Sequence, residues 1–169
     1  MDLGLSGKSA LVCASTAGLG AATARALAGE GVNVVISGRR GRQARDIAAT
    51  LPSAIGVEVD LTAPDGPEQL AEQATSAFGD IDILALNGQG PAAARAVDVT
   101  PDDVTASVDS LVQPHVGLIR RVLPATRQRG WGRILAIGSS GIVEPLRSLV
   151  LSDLARAALR CDGGLVRSL

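Results

Sequence analysis

Apolar residues along the chain fall in short runs, separated by longer stretches with helical spacing. Residues 9–13 form the first run and predict a buried strand. An alanine-rich stretch, residues 18–29, follows and predicts a helix. The β-branched run 32–37 predicts a second strand. Residues 42–51 predict a helix that Pro52 stops, and 54–59 a third strand. Residues 67–78 predict a helix with Gly79 just past its end, and 81–86 a fourth strand. Thr100, with Asp103 three residues on, has the form of a capping box, with Pro101 at the first helical position. A long helix is expected from there towards Gln128, bent at Pro114 or Pro124. Residues 134–137 predict a fifth strand. Leu149 onwards reads as helix, interrupted or frayed near Gly163 and Gly164.

Strand-helix alternation of this kind implies parallel strands joined by right-handed crossovers, an α/β doubly wound sheet. The strands are near-continuous apolar runs, as expected when helices cover both faces. No internal linker, low-complexity tract or tandem repeat interrupts the rhythm, so residues 1–169 are expected to form one domain.

Composition narrows the function classes. With 16 basic and 17 acidic residues, the net charge of −1 argues against bulk attraction to nucleic acid or to an anionic membrane. No apolar run reaches the roughly 18–20 residues of a membrane span. Residues 1–8 lack the apolar region of a signal peptide. Cys13 and Cys161 are too few for a disulfide scaffold or a cysteine zinc site, and no cluster has metal-ligand spacing. A reducing, cytoplasmic setting is the simplest reading. Two absences carry more weight. The chain has no tyrosine, and Lys8 is its only lysine against 15 arginines.

The turn Cys13-Ala14-Ser15-Thr16-Ala17-Gly18-Leu19-Gly20 joins the first strand to the first helix. Glycines there let backbone approach a pyrophosphate closely. The helix N-terminus offers free N–H groups and the positive end of its dipole. The competing reading is a tight turn with no ligand.

These residues resemble the short-chain dehydrogenase/reductase family, near its ketoacyl-reductase-like branch. The family has Thr-Gly-x-x-x-Gly-Ile/Leu-Gly at this turn; Gly18, Leu19 and Gly20 match, while Cys13 and Ala14 replace the Thr and first Gly. The resemblance implies a Rossmann-like fold and places Ser15 and Thr16 in a cofactor-binding turn. Arg39 and Arg40 follow the second strand, where an acidic residue would bind a ribose 2′-hydroxyl. Arginines there imply a 2′-phosphate, hence NADP(H) in preference to NAD(H); the alternative is two solvated arginines opening a helix. Asp60-Leu61 ends the third strand, where the family sets an Asp near the adenine. Asn87-Gly88-Gln89-Gly90 resembles its Asn-Asn-Ala-Gly motif. The run 133–140 resembles the strand that ends in the family's catalytic serine, here Ser139.

The resemblance fails at the reaction centre. Counting by family spacing from Ser139 reaches Ser152 at the tyrosine position and Arg156 at the lysine position; counting from Pro124 puts Leu111 at the asparagine position. A serine hydroxyl has no pKa near 10 and is too short to reach where a phenol oxygen would sit. Arg156 stays charged at any working pH, so it can hold a ribose or stabilise an oxyanion but cannot relay a proton as lysine does. Ordinary Tyr-Lys ketone reduction is not expected. The lone His115 reads as a surface or packing residue, Asp153 as a helical partner of Arg156, and Cys13 as a small buried packing residue, the alternative being a thiol whose pKa the helix N-terminus lowers.

By the resemblance, the chain stops in the helix carrying Ser152 and Arg156, before the family's last two strands. The fifth strand then becomes a sheet edge. That surface is expected to be buried in a homo-oligomer through the long helices or against a partner subunit; the remaining possibility is a truncated gene product. The reading is an NADP(H)-binding oxidoreductase-like protein acting on a small carbonyl or hydroxyl compound. The alternatives are a non-redox enzyme (dehydratase, cyclase or isomerase) and a non-catalytic partner subunit on the same scaffold.

Overall fold

Five parallel strands stand in the order β3-β2-β1-β4-β5 in the computed structural model, which describes residues 2–167, with side chains through residue 160. The strands are β1 (Ser9–Val12), β2 (Asn33–Gly38), β3 (Ala54–Glu58), β4 (Ile83–Leu86) and β5 (Arg133–Ala136). Between them run α1 (Gly18–Gly29), α2 (Gly41–Ala48), α3 (Gly66–Phe78), α4 (Pro101–Ser107) and α5 (Gln113–Arg129); α6 (Val150–Arg167) follows β5. The doubly wound α/β architecture expected from the pattern is what forms.

Alternation along each strand divides the core in two. Leu11, Cys13, Val35, Leu84 and Leu86 face α3 and α5, against Leu70, Ala71, Leu118 and Val122. Ala10, Val12, Val34, Ile36, Ile83 and Ala85 face α1 and α2, where Ala24, Ala28, Ala44 and Ala48 meet them. Small helix residues on that second side let α1 lie close to the sheet, which brings its N-terminus to the end of β1. At the other end of the sheet, Arg129 closes α5 onto the start of β4, pairing with Asp80 at 2.7 Å and Asp82 at 3.5 Å.

Thr100 and Asp103 form the expected capping box, each side chain taking the other's backbone N–H. The long helix departs from expectation in how it breaks. Pro124 sits inside α5 without ending it. The interruption is a π turn, Val108–Val112, just before Pro114. Pro114 has no N–H to give the preceding turn. The Gln113 N–H instead reaches back to the Val108 carbonyl, an i→i−5 bond that widens the helix. The break expected at Gly163 and Gly164 does not occur; α6 is helical through both.

Strand β5 is the barest of the five, with only Ile134 partly covered and Leu135 52% exposed. Helix α6 docks through Ala155 and Leu159 against Leu111 of the π turn.

Candidate nucleotide and reaction site

The strand order reverses between β1 and β4, and a crevice opens beyond their carboxyl ends. A cleft of about 730 Å³ lies there. The loops after the first four strands line it: Ala14, Thr16 and Ala17 after β1, residues 38–40 after β2, 59–62 after β3 and 87–90 after β4; the loop after β5, with Ser139, does not. Ser110, Pro114 and His115 close one side.

The turn after β1 is tightly built. A Cβ on Gly20 would lie 2.6 Å from the Ala14 carbonyl oxygen and 2.8 Å from Asn87 Nδ2, so only glycine fits. Gly18 opens α1 at φ 54°. Ala14 stands at φ 45°, a left-handed conformation that costs a residue with a Cβ roughly 1–2 kcal/mol. Its neighbours are fixed: the Cys13 N–H reaches the Ala85 carbonyl at 3.0 Å and the Ser15 N–H the Ser37 carbonyl at 2.8 Å. Helix α1 has neither a side-chain cap nor an acidic residue in its first turn, which suits an anion at its N–H groups.

The named turn residues divide by role. Ser15 is buried; its hydroxyl donates to the Val12 carbonyl and accepts the Ser37 N–H, so its side chain ties β1 to β2 and does not line the cleft. Thr16 lines the cleft and accepts from Arg40 Nη2 at 3.2 Å. Gly18, Leu19 and Gly20 are not among the residues lining the cleft; Gly20 is buried and the Leu19 side chain is largely exposed.

Arg39 and Arg40 sit together on the cleft wall. Arg39 Nη2 crosses to Gln89 Oε1 at 3.0 Å. Asp60 and Leu61 face them. The Thr62 N–H, then its hydroxyl, hold the Asp60 carboxyl below the usual range, with Arg39 adding to the effect.

Around Ser139, the arrangement is partly assembled. Arg156 donates through Nη1 to the Ile137 carbonyl and through Nε to Ser152 Oγ at 3.3 Å. This ties α6 to the end of β5, two residues before Ser139. A Cβ on Gly90 would lie 3.5 Å from Arg156 Nη2 and 3.9 Å from Ser152 Oγ, so both groups stand beside the cleft's Gly90 edge. Ser139 Oγ accepts the Gly141 N–H at 3.1 Å, opening a short 3-10 turn. The expected Asp153–Arg156 pair does not form. Asp153 is buried and takes the Leu146 N–H at 2.9 Å, anchoring the loop before α6, because Arg156 is drawn to the unpaired carbonyl at the end of β5.

For Cys13 the lowered pKa is overturned, and for His115 packing, not surface, is what forms. Cys13 has no lowered pKa: burial pushes its thiol up to about 12, and the Asn87 N–H directed at the sulfur offsets this only partly. His115 is 2% exposed and belongs to the cleft wall. Burial pushes its pKa down to about 4; the Asn87 carbonyl opposes that shift and Arg156 adds to it. The signal for its burial was present, since Leu111, His115, Leu118 and Val122 recur at helical spacing. Gln89, which meets Arg39, carried no such signal. Among the described residues, no group of three or more His, Cys, Asp or Glu side chains could hold a metal ion, and no helix is long and apolar enough to cross a membrane.

A family model described as short chain dehydrogenase matches residues 8–151. Dehydrogenase/reductase SDR family member 4 of Sus scrofa is 31% identical over 160 residues, 92% of this chain and 57% of that protein. D-beta-hydroxybutyrate dehydrogenase of Cupriavidus necator is 31% identical over 141 residues, 80% of this chain and 54% of that one. The crystal structure of L-sorbose reductase from Gluconobacter frateurii, complexed with NADPH and L-sorbose, matches with a TM-score of 0.93 at 29% identity, covering 99% of this chain and 66% of that one. The chain therefore spans less than two thirds of the length of each.

Proposed function

The chain belongs to the short-chain dehydrogenase family, and from that premise we propose that it binds NADP(H) in preference to NAD(H) and serves as an oxidoreductase on a small carbonyl or hydroxyl compound. The observation that carries the reading is the turn at Gly20, where the missing Cβ leaves room for close backbone packing at an uncapped helix N-terminus. Thr16, Gly18, Leu19 and Gly20 would hold the pyrophosphate with their backbone, and Asp60, Leu61, Asn87 and Gly88 would flank the adenosine and ribose. Arg39 and Arg40 would meet a 2′-phosphate, since two guanidiniums suit a dianion better than a neutral hydroxyl. The NADPH in the L-sorbose reductase structure supports the choice.

When bound, a reduced nicotinamide supplies a hydride. The chain's own residues would do the rest without a phenol. Ser139 and Ser152 would orient a carbonyl oxygen. Arg156, already fixed at Ile137 and Ser152, would stabilise negative charge as it develops on that oxygen, and water would deliver the proton. The whole chain would act as one dinucleotide-binding unit, associating with a second copy or a partner through its long helices.

The experiment is NADPH consumption over a panel of small ketones and aldehydes. Substrate-dependent loss of NADPH absorbance, cut by about a hundredfold or more in Arg156→Ala, is expected. Consumption that Arg156→Ala leaves unchanged would remove Arg156 from the reaction.

A further inference from the structure

Ala14 occupies a backbone conformation suited to glycine, so something must hold it there. Three contacts, two from the turn after β1 and one from α5, converge on one residue, Asn87. Its side-chain Nδ2 donates to the Ala14 carbonyl at 3.2 Å. Its backbone N–H is directed at the Cys13 sulfur. Its own carbonyl lies 3.4 Å from His115 Nε2. The imidazole ring also lies against Gly88, whose Cβ would stand 3.7 Å from Cε1 and Nε2. A carbonyl oxygen can only accept, so Nε2 carries a proton, and burial of the ring disfavours a second one, leaving the neutral tautomer with Nδ1 bare. That bare Nδ1 is buried with no hydrogen-bond partner among the described residues. An apolar side chain of similar size would avoid this cost, and the histidine is present nonetheless.

We propose that His115 is a positioning residue for the nucleotide turn: by donating to the Asn87 carbonyl it fixes the Asn87 peptide, and the Asn87 amide in turn clamps Ala14 in its left-handed conformation beside Gly20. The chain of contacts runs from α5 through the end of β4 to the turn after β1, and each link is a single hydrogen bond. It makes good, at a distance, the glycine that position 14 lacks. It also accounts for Gly20, because the Asn87 amide and the Ala14 carbonyl are the atoms that a Cβ there would strike. The link to nucleotide affinity rests on the proposed NADP(H) site; the link between His115 and Ala14 does not.

The test is a double-mutant cycle between His115→Leu and Ala14→Gly, with His115→Gln as the variant that keeps a donor. It is read by urea unfolding and by NADPH titration. In the natural background, His115→Leu should weaken NADPH binding about tenfold, the worth of roughly one hydrogen bond, and His115→Gln should restore most of it. In the Ala14→Gly background the same change should cost far less, and urea midpoints should show the same non-additivity. Additive effects in the urea cycle, or Gln no better than Leu, would overturn the proposal. If the natural chain binds neither NADPH nor NADH, the nucleotide reading fails and the urea cycle alone decides the positioning role. If His115→Leu does not fold in either background, Asn87→Ala takes its place in the cycle: a smaller loss with Ala14→Gly supports the clamp, and an equal loss refutes it.

Discussion

A single methyl group strains the turn after β1. Ala14 holds φ 45° because both flanking N–H groups and its own carbonyl are tied. Glycine adopts that conformation without the Cβ clash. Ala14→Gly should therefore raise stability by about 1 kcal/mol, read as a higher urea midpoint at unchanged slope; an unchanged or lower midpoint would mean the strain is absent. His115 makes a second prediction. It titrates near 6.5 when unfolded and at about 4 when folded. Between those values the unfolded chain binds a proton that the native state excludes. Its contribution is full above pH 6.5 and is lost as pH falls towards 4, about 3 kcal/mol in all. His115→Leu should flatten that part of the stability profile; parallel profiles for the two proteins would contradict the assignment. The strain at Ala14 was not legible in the sequence alone, because a positive φ there depends on Asn87, 73 residues away. The burial of His115 was legible only as helical spacing with Leu111, Leu118 and Val122; which face meets the sheet decides it. The glycines at 18 and 20 were legible because their spacing is local to one turn.

At the scale of elements, local pattern did well where local forces decide. Strands with continuous apolar runs, the Thr100–Asp103 capping box and the turn from β1 to α1 all follow from neighbours in sequence. The π turn does not. Pro114 announces a break, but whether the chain kinks, ends or widens depends on what packs against it, here Leu111 wedged between Gly88 and α6. Strand pairing also has a hidden strut in Ser15, whose hydroxyl joins the Val12 carbonyl to the Ser37 N–H in a fully buried position. Ser15→Ala leaves that N–H without its side-chain acceptor and should cost about 1–3 kcal/mol in chemical denaturation. A loss of only a few tenths would show that the strut carries no weight.

At the scale of the whole described structure, one side of the sheet is open. Strand β5 forms an open edge among the described residues, with Leu135 exposed on it and Val143, Leu146 and Leu154 exposed in the segments that follow. Unpaired strand groups next to apolar side chains favour association. Sedimentation velocity should show concentration-dependent self-association, reduced by Leu135→Lys; a monomer at all concentrations would contradict this. The other edge of the crevice is complete, with every loop from β1 to β4 present around the cleft. The central claim, a nucleotide site selective for a 2′-phosphate, is therefore testable on this chain directly. That measurement is calorimetric titration of the folded protein with NADPH and with NADH, repeated on the Arg39→Ala, Arg40→Ala double variant. The account predicts NADPH bound at least about tenfold more tightly than NADH, with the difference lost in the variant, as expected when two charge-assisted contacts are removed. Equal affinities in the natural protein, or no binding of either nucleotide, would contradict it.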